Sequence, residues 1–296
     1  MKTLVFIING AHKLSSLNQQ IITACQKYTG FDTAVFKTNY EKHASELAEQ
    51  QTADNIDCII AIGGDGTIHE ILNGILSQGI YKPRLAILPN GTGNDFMRTR
   101  DHFKSAHQFI HSILSSNFES IDIGKITSNS STHYFINIAD IGFGGAVIHT
   151  LKEQRKLFSG KLAYSIAILK TFFTYKKSLL SITASNYQLQ SEIFMVVFCN
   201  GSIFGNGLTI HPGAKVNDGQ LNIVIIGNVS ILDYLRYLPK LKKGQIINHP
   251  EVHYLDTNKI NINTTKQTWT EADGEIIGNQ PITVELIPHL IELIIP

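Results

Sequence analysis

The stretch AIGGDGTIHEILNGI, residues 61–75, sets two glycines, an aspartate and a third glycine between a buried-strand pattern and a helix pattern. In Gly63-Gly64-Asp65-Gly66-Thr67 the glycines let the backbone approach an anion, and the following helix offers unpaired N–H groups and the positive end of its dipole. That chemistry suits phosphate, yet Asp65 would repel it unless a cation lies between them. Asp65 therefore reads either as a holder of Mg²⁺, directly or through water, or as an Asp-Gly turn residue that caps the helix. No Gly-Lys-Ser/Thr closes the turn, so it is not a P-loop. His69 stands where a dinucleotide fingerprint needs its third glycine, and GFGGAV at 142–147 fails the same requirement at Val147.

A second turn of this type follows in LAILPNGTGNDFMR, with Gly91, Thr92, Asn94 and Asp95 between a strand pattern and a helix-like start. In an α/β sheet both turns lie at the carboxyl edge of strands, which brings Asp95 beside the crevice that Asp65 faces. Near the carboxyl end, EADGE places Asp273 and Glu275 two residues apart, on one side of an extended segment. The Asp-Gly dipeptide equally marks a hairpin turn.

These residues need a scaffold, and the chain's texture supplies two. Up to about residue 114, apolar runs alternate with helical patterns: Leu4 to Ile8, a helix through Leu17, Ile21 and Cys25, and a strand at Ala34 to Phe36. A polar helix near Lys42 to Ala53, the run Ile56 to Ile62, a helix from Thr67 to Ser77 and the run Leu85 to Leu88 continue the alternation. Such alternation predicts a doubly wound parallel sheet covered by helices on both faces. Beyond it come short β-type runs such as YFINIAD, EIFMVVFCN, LNIVII, KININT, ITVEL and IELII, interrupted by helical patterns at Val147 to about Tyr175 and Ile231 to about Leu241. The expected fold is an amino-terminal α/β nucleotide-binding domain, residues 1–125, followed by a larger antiparallel β-sandwich-like domain, residues 126–296.

In order along the chain, GGDGTIHEILNGI, LPNGTGNDFMR, NIADIGFGGAV, GNGLTIHPGAKVNDGQLNIVII and EADGE resemble the bacterial diacylglycerol kinase and multisubstrate lipid kinase family, related to the sphingosine kinases. The resemblance spans nearly the whole chain. It implies ATP bound between the domains, with Gly63 to Glu70 and Thr92 around the phosphates, Gly91 and Asn94 in the second turn, and Asn9 and Thr38 nearby. It implies that Asp65, Asp95 and Asp122 order Mg²⁺ and water at the transferring phosphoryl group; apart from the family, Asp122 in ESIDIGKI is a solvated strand position. Glu275 is implied as the base that takes the lipid hydroxyl proton, with Asp273 and Asp65 as rivals. The loop PGAKVNDGQLNIV resembles the family's structural magnesium loop, in which Lys215, Asp218 and Gln220 would surround a second metal; Asn217 stands where an acid is common. The family's Asn-Pro turn after strand one is here INGAHKLSS, with Gly10 in place of proline.

A lipid kinase must meet a head group at a bilayer surface. Between Leu151 and Ser178, Lys152, Arg155, Lys156, Lys161, Lys170, Lys176 and Lys177 face only Glu153 and alternate with apolar residues. The segment reads as a basic surface for anionic lipid, or as a helix packed on the second domain with a solvated lysine face. The lipid tail calls for an apolar cleft in the β-rich domain.

Composition narrows the classes further. With 25 Lys and Arg against 24 Asp and Glu, the chain lacks the charge of a nucleic-acid binder. The length of 296 residues and 43% hydrophobic content support two cores. Cys25, Cys58 and Cys199 show no metal-ligand spacing and fit a reduced cytoplasmic chain, and the histidines form no zinc motif. No stretch approaches the ~20 apolar residues of a membrane span. The expected place of work is therefore cytoplasmic, peripheral to the inner face of the membrane, and an open sheet edge would allow a homodimer. An NAD kinase shares the GGDGT turn and is the second enzymatic reading; a nucleotide- or lipid-binding protein without turnover is the third.

Overall fold

In the computed structural model, the description covers residues 1–54, 56–77, 79, 82–91, 93–128, 131–154, 160–185, 187–264, 266–279 and 281–296. The chain divides into two compact units, Met1–Ile121 with His289–Pro296, and Asp122–Pro288.

The first unit runs β1 (Lys2–Ile8), α1 (Ser16–Lys27), β2 (Phe31–Lys37), α2 (His43–Ala53), β3 (Cys58–Gly63), α3 (Asp65–Ser77), β4 (Arg84–Pro89), a 3₁₀ turn (Phe96–Thr99) and α4 (Ala106–Ser115). All the strands pair in parallel, in the order β2-β1-β3-β4. Alternate residues of the apolar runs serve opposite faces. Leu4, Phe6, Ile8, Ile60 and Ile62 pack with Ile21 and Cys25 of α1 and Phe109 and Ile113 of α4. On the other face α2 and α3 lie close together, because Gly74 carries no Cβ; one there would stand 2.3 Å from the Ser45 carbonyl oxygen.

The second unit begins inside β5 (Phe118–Ser128) and continues through β6 (Thr132–Phe135), β7 (Ile138–Gly142), α5 (Phe143–Gln154), α6 (Gly160–Thr174), β8 (Ser178–Ala184), β9 (Tyr187–Ile193) and β10 (Met195–Cys199). It then runs through the short β11 (Ile203–Phe204) and β12 (Leu208–Thr209), β13 (Leu221–Ile226), α7 (Ile231–Lys242), β14 (Val252–Thr257), β15 (Lys259–Thr264), β16 (Thr270–Ala272), β17 (Glu275–Gly278) and β18 (Ile282–Ile294). Strands β14-β13-β10-β7-β16-β17 form an antiparallel sheet. Val196 and Phe198 of β10 point into a core shared with Leu180, Ile182, Ile260 and Val284, while Val197 and Cys199 lie under the helices with Val147 and Ala167. Burial on both faces explains why MVVFC is apolar throughout instead of alternating.

The expected β-sandwich with two helical interruptions is thus present, the first interruption being two helices, α5 and α6. Two runs expected as separate strands, ITVEL and IELII, belong to the single strand β18. His289, at φ 50°, lies where the chain leaves the second unit. The expected second domain, 126–296, included the last residues of the chain; the parallel pairing of Leu293 with Leu85 draws them to the first sheet.

Candidate functional site

In the first unit the two glycine turns nest on each other. A Cβ on Gly64 would lie 2.9 Å from the Gly93 carbonyl oxygen, and one on Gly91 would lie 3.2 Å from the Gly64 Cα. A Cβ on Gly63 would strike the Thr67 side chain at 2.4 Å. Backbone thus occupies the space where side chains would stand, and α3 starts at Asp65 with Gly66 and Thr67 in its first turn, where amides lack helical partners.

Asp65 Oδ2 accepts from the Asp95 backbone N–H at 3.0 Å, tying one turn to the other. Asp95 directs Oδ1 at Arg98 Nε, 2.6 Å away. Asn94 donates to the Gly91 carbonyl at 3.1 Å, while its buried Oδ1 accepts no hydrogen bond among the described residues. Asn9 donates through Nδ2 to Thr67 Oγ1 at 3.0 Å and accepts from the Ala11 amide, and Thr38 Oγ1 accepts from the Gly10 amide at 3.1 Å. The rebuilt turn INGA is therefore anchored by both residues expected there.

Glu70 is committed elsewhere. Its two oxygens accept from the Lys42 and Ala44 amides at 2.9 and 3.2 Å, satisfying the start of α2, where Lys42 (φ 70°) offers no side-chain cap. Thr92 lies outside the described residues.

Among the described residues no group of three or more His, Cys, Asp or Glu side chains could hold a metal ion. Asp122, fully buried in the second unit, accepts through Oδ2 from the Gly219 amide at 2.7 Å, its own N–H donates to the Val216 carbonyl, and its carbonyl accepts from Asn200. Instead of a solvated strand position, Asp122 closes the 216–219 loop onto β5. Around that loop Lys215, Asp218 and Gln220 are exposed, and Asp218 Oδ1 accepts the Gln220 amide in a local turn. The donor set that fits a metal-bound phosphate is the pair of glycine turns with Asp65, where the first-turn amides of α3 offer polarity for an anion.

The segment EADGE is a hairpin. Asp273 (φ 50°) and Gly274 (φ 87°) form the two-residue turn between β16 and β17, both in the left-handed region that a type I′ turn requires. The turn separates the two candidate bases. Asp273 accepts from the Ile136 amide at 2.9 Å through Oδ2, and from Asn137 and Ile138 at 3.0 and 3.2 Å through Oδ1. Glu275, about one-third exposed, pairs instead with Lys152 Nζ of α5 at 2.7 Å. Beside them lies a pair the sequence reading missed: Asp140 of β7 and Glu271 of β16 face each other in register, both buried. Asp140 Oδ1 accepts from the Gly145 amide and Glu271 Oε2 from the Gly274 amide. Burial, and the neighbouring Asp140 charge, push the Glu271 carboxyl well above its usual range. An acid within the largely apolar stretch NIADIG was the available signal for Asp140.

The same unit holds an apolar cavity lined by Val147, Ile168, Phe172, Phe194, Tyr237 and Leu241 among others, with Asp233 and His249 also at its wall. α5 reaches both features, contributing Val147 to the cavity and Lys152 to Glu275. α6 buries Ala163, Ala167 and Thr171 and exposes Leu169, Lys170 and Phe173. Arg155 and Lys156 lie outside the described residues, as does the side chain of Lys161.

Comparison with known proteins agrees with this architecture. The diacylglycerol kinase catalytic domain matches residues 3–126, and the YegS C-terminal NAD kinase beta sandwich-like domain matches residues 139–295. The chain belongs to the bacterial diacylglycerol kinase and YegS-type lipid kinase family. It is 29% identical over 267 residues to a diacylglycerol kinase of Staphylococcus haemolyticus, covering 90% of this chain and 79% of that one. To a diacylglycerol kinase of Bacillus subtilis it is 26% identical over 288 residues, covering 95% and 92%. A crystal structure of a diacylglycerol kinase from Bacillus anthracis superposes with a TM-score of 0.70 at 22% identity, covering 100% of this chain and 97% of that one, a likeness of fold.

Proposed function

We infer that the protein is a lipid kinase that moves the terminal phosphate of ATP to the hydroxyl of an acylated lipid such as diacylglycerol, a reaction of phospholipid metabolism. The observation that carries this reading is α5, which lines an apolar cavity with Val147 and holds Glu275 with Lys152. An acyl chain fits such a lining, whereas the polar NAD molecule does not.

The glycine turns hold the phosphates through backbone N–H groups. Bound Mg²⁺ would neutralise phosphate charge, with Asp65 as the residue to hold it. Glu275 accepts the proton of the attacking hydroxyl, and Lys152 orients its carboxylate. Asp273 serves the fold, because its two oxygens already receive three amides. The lipid substrate and the exposed Lys170 and Phe173 of α6 support work in peripheral contact with the inner face of the membrane.

Phosphate transfer from labelled ATP to a panel of lipids in mixed micelles, with Mg²⁺ and with chelator, tests the reading. Metal-dependent label on one lipid, lost in Asp65→Asn, is expected. Label on NAD and on no lipid would overturn it in favour of an NAD kinase.

A further inference from the structure

The helix α7 has apolar residues on two opposite faces. Tyr234, Tyr237 and Leu241 line the cavity, while Leu232 and Leu235 stand 72% and 51% exposed. Positions 232, 235, 236, 239 and 243 share one helical stripe, so the exposed leucines lie in line with Arg236, Pro239 and Lys243. Just beyond the helix, Ile246 is 63% exposed.

Burying a leucine is favourable, so two close together in water on a helix that already packs by its other face form a face that a partner could cover. Charge indicates which. From Ile231 to Ile246 the chain carries Arg236, Lys240, Lys242 and Lys243 against Asp233 alone, and Asp233 is engaged by Ser230 in a capping box. A second copy of the same face would set cation against cation. An anionic bilayer satisfies both features, taking the leucines into its headgroup and acyl boundary while its phosphates meet the cations.

We propose that α7 is a bilayer-docking helix: Leu232, Leu235 and Ile246 insert into an anionic leaflet, and the cations around them bind its head groups. The inference deepens the lipid kinase reading, because the inner face of the docked helix is a wall of the acyl cavity. It joins α6, whose Phe172 ring lies 6.4 Å from that of Tyr234, to a second element that meets the membrane.

The test is co-sedimentation of the full chain with vesicles of phosphatidylcholine alone or mixed with phosphatidylglycerol, beside phosphate transfer to a short-chain diacylglycerol dissolved without vesicles. Wild-type protein should sediment with the mixed vesicles and be released by salt. Leu232→Ser/Leu235→Ser should weaken that binding by about tenfold or more and leave short-chain transfer unchanged. Lys240→Gln/Lys242→Gln should weaken only the salt-sensitive part. Equal vesicle binding by wild type and the leucine variant would overturn the proposal, as would a wild-type dimer that the leucine variant converts to monomer without loss of vesicle binding. Vesicle binding lost in the leucine variant, with no transfer to any lipid by wild type, would leave docking standing and remove the kinase reading.

Discussion

Asp140 and Glu271 face each other across β7 and β16 with both carboxyls buried, and each accepts one backbone amide, Asp140 from Gly145 at the start of α5 and Glu271 from Gly274 in the hairpin turn. Burial pushes Asp140 up to about 6, and burial with the Asp140 charge raises Glu271 well above its usual value. Two like charges without solvent are costly, so the pair keeps a proton and shares it as a hydrogen bond.

The sign of the pH dependence follows. Both folded-state values lie above those of the unfolded chain, so the pair's stabilisation is complete below about pH 4. It is lost as pH climbs through about 6 for Asp140 and onward for Glu271. Glu285, held below its usual value by the hydrogen bond from Lys125, works in the opposite sense, so variant and wild type are compared at each pH. Glu271→Gln keeps a donor for Asp140 and an acceptor for the Gly274 amide, and should melt higher than wild type at alkaline pH but not at mildly acidic pH. A difference in melting temperature independent of pH would refute the shared proton.

Lys152 and Glu275 form a partly exposed ion pair, which contributes little to stability. On the proposed mechanism its importance is orientation of the proton acceptor. Lys152→Met should lower kcat by about tenfold while leaving the melting temperature and the KM for ATP nearly unchanged. Glu275→Gln should lower kcat further, by about a hundredfold, with ATP binding intact. A Lys152→Met enzyme with unaltered kcat would remove Lys152 from the machinery.

Asp273 should behave in the opposite way. With three amides on its carboxylate, Asp273→Asn puts an NH₂ group against one of those donors and costs about 2–3 kcal/mol. That corresponds to a fall in melting temperature of about 5–10 °C. Turnover per folded molecule, measured well below the melting transition, should stay within about threefold of wild type. Loss of turnover without loss of stability would return Asp273 to the role of base.

The parts of this site that were legible in the sequence are those whose physics is local. Glycine spacing after an apolar run specified the nested turns, and Asp273-Gly274 specified a hairpin, because only a few residues tolerate two successive left-handed conformations. What escaped depended on distant register or packing. Glu70 looks like a phosphate neighbour until α2 supplies two amides without a cap, and Asp122 looks solvated until the 216–219 loop folds onto it. Asp140 and Glu271 meet only because β7 pairs with β16, a strand far along the chain. Glu275 lies in one of the motifs, yet its Lys152 partner comes from a segment read as a basic lipid surface or a packed helix with a solvated lysine face, neither of which points to Glu275.

The first turn permits a cleaner separation of charge from structure. Asp65 accepts the Asp95 amide through one oxygen, a role that the amide oxygen of asparagine can also fill. Asp65→Asn should therefore keep the nested turns and the melting temperature while removing the negative charge proposed to hold Mg²⁺, and turnover should fall by about a hundredfold or more. Gly64→Ala does the reverse. It leaves every charge in place but sets a methyl 2.9 Å from the Gly93 carbonyl oxygen, so the turns must part. ATP affinity, read by titration calorimetry without lipid, should then drop by about tenfold or more. Normal ATP affinity in Gly64→Ala together with normal turnover in Asp65→Asn would mean that these turns do not hold the nucleotide.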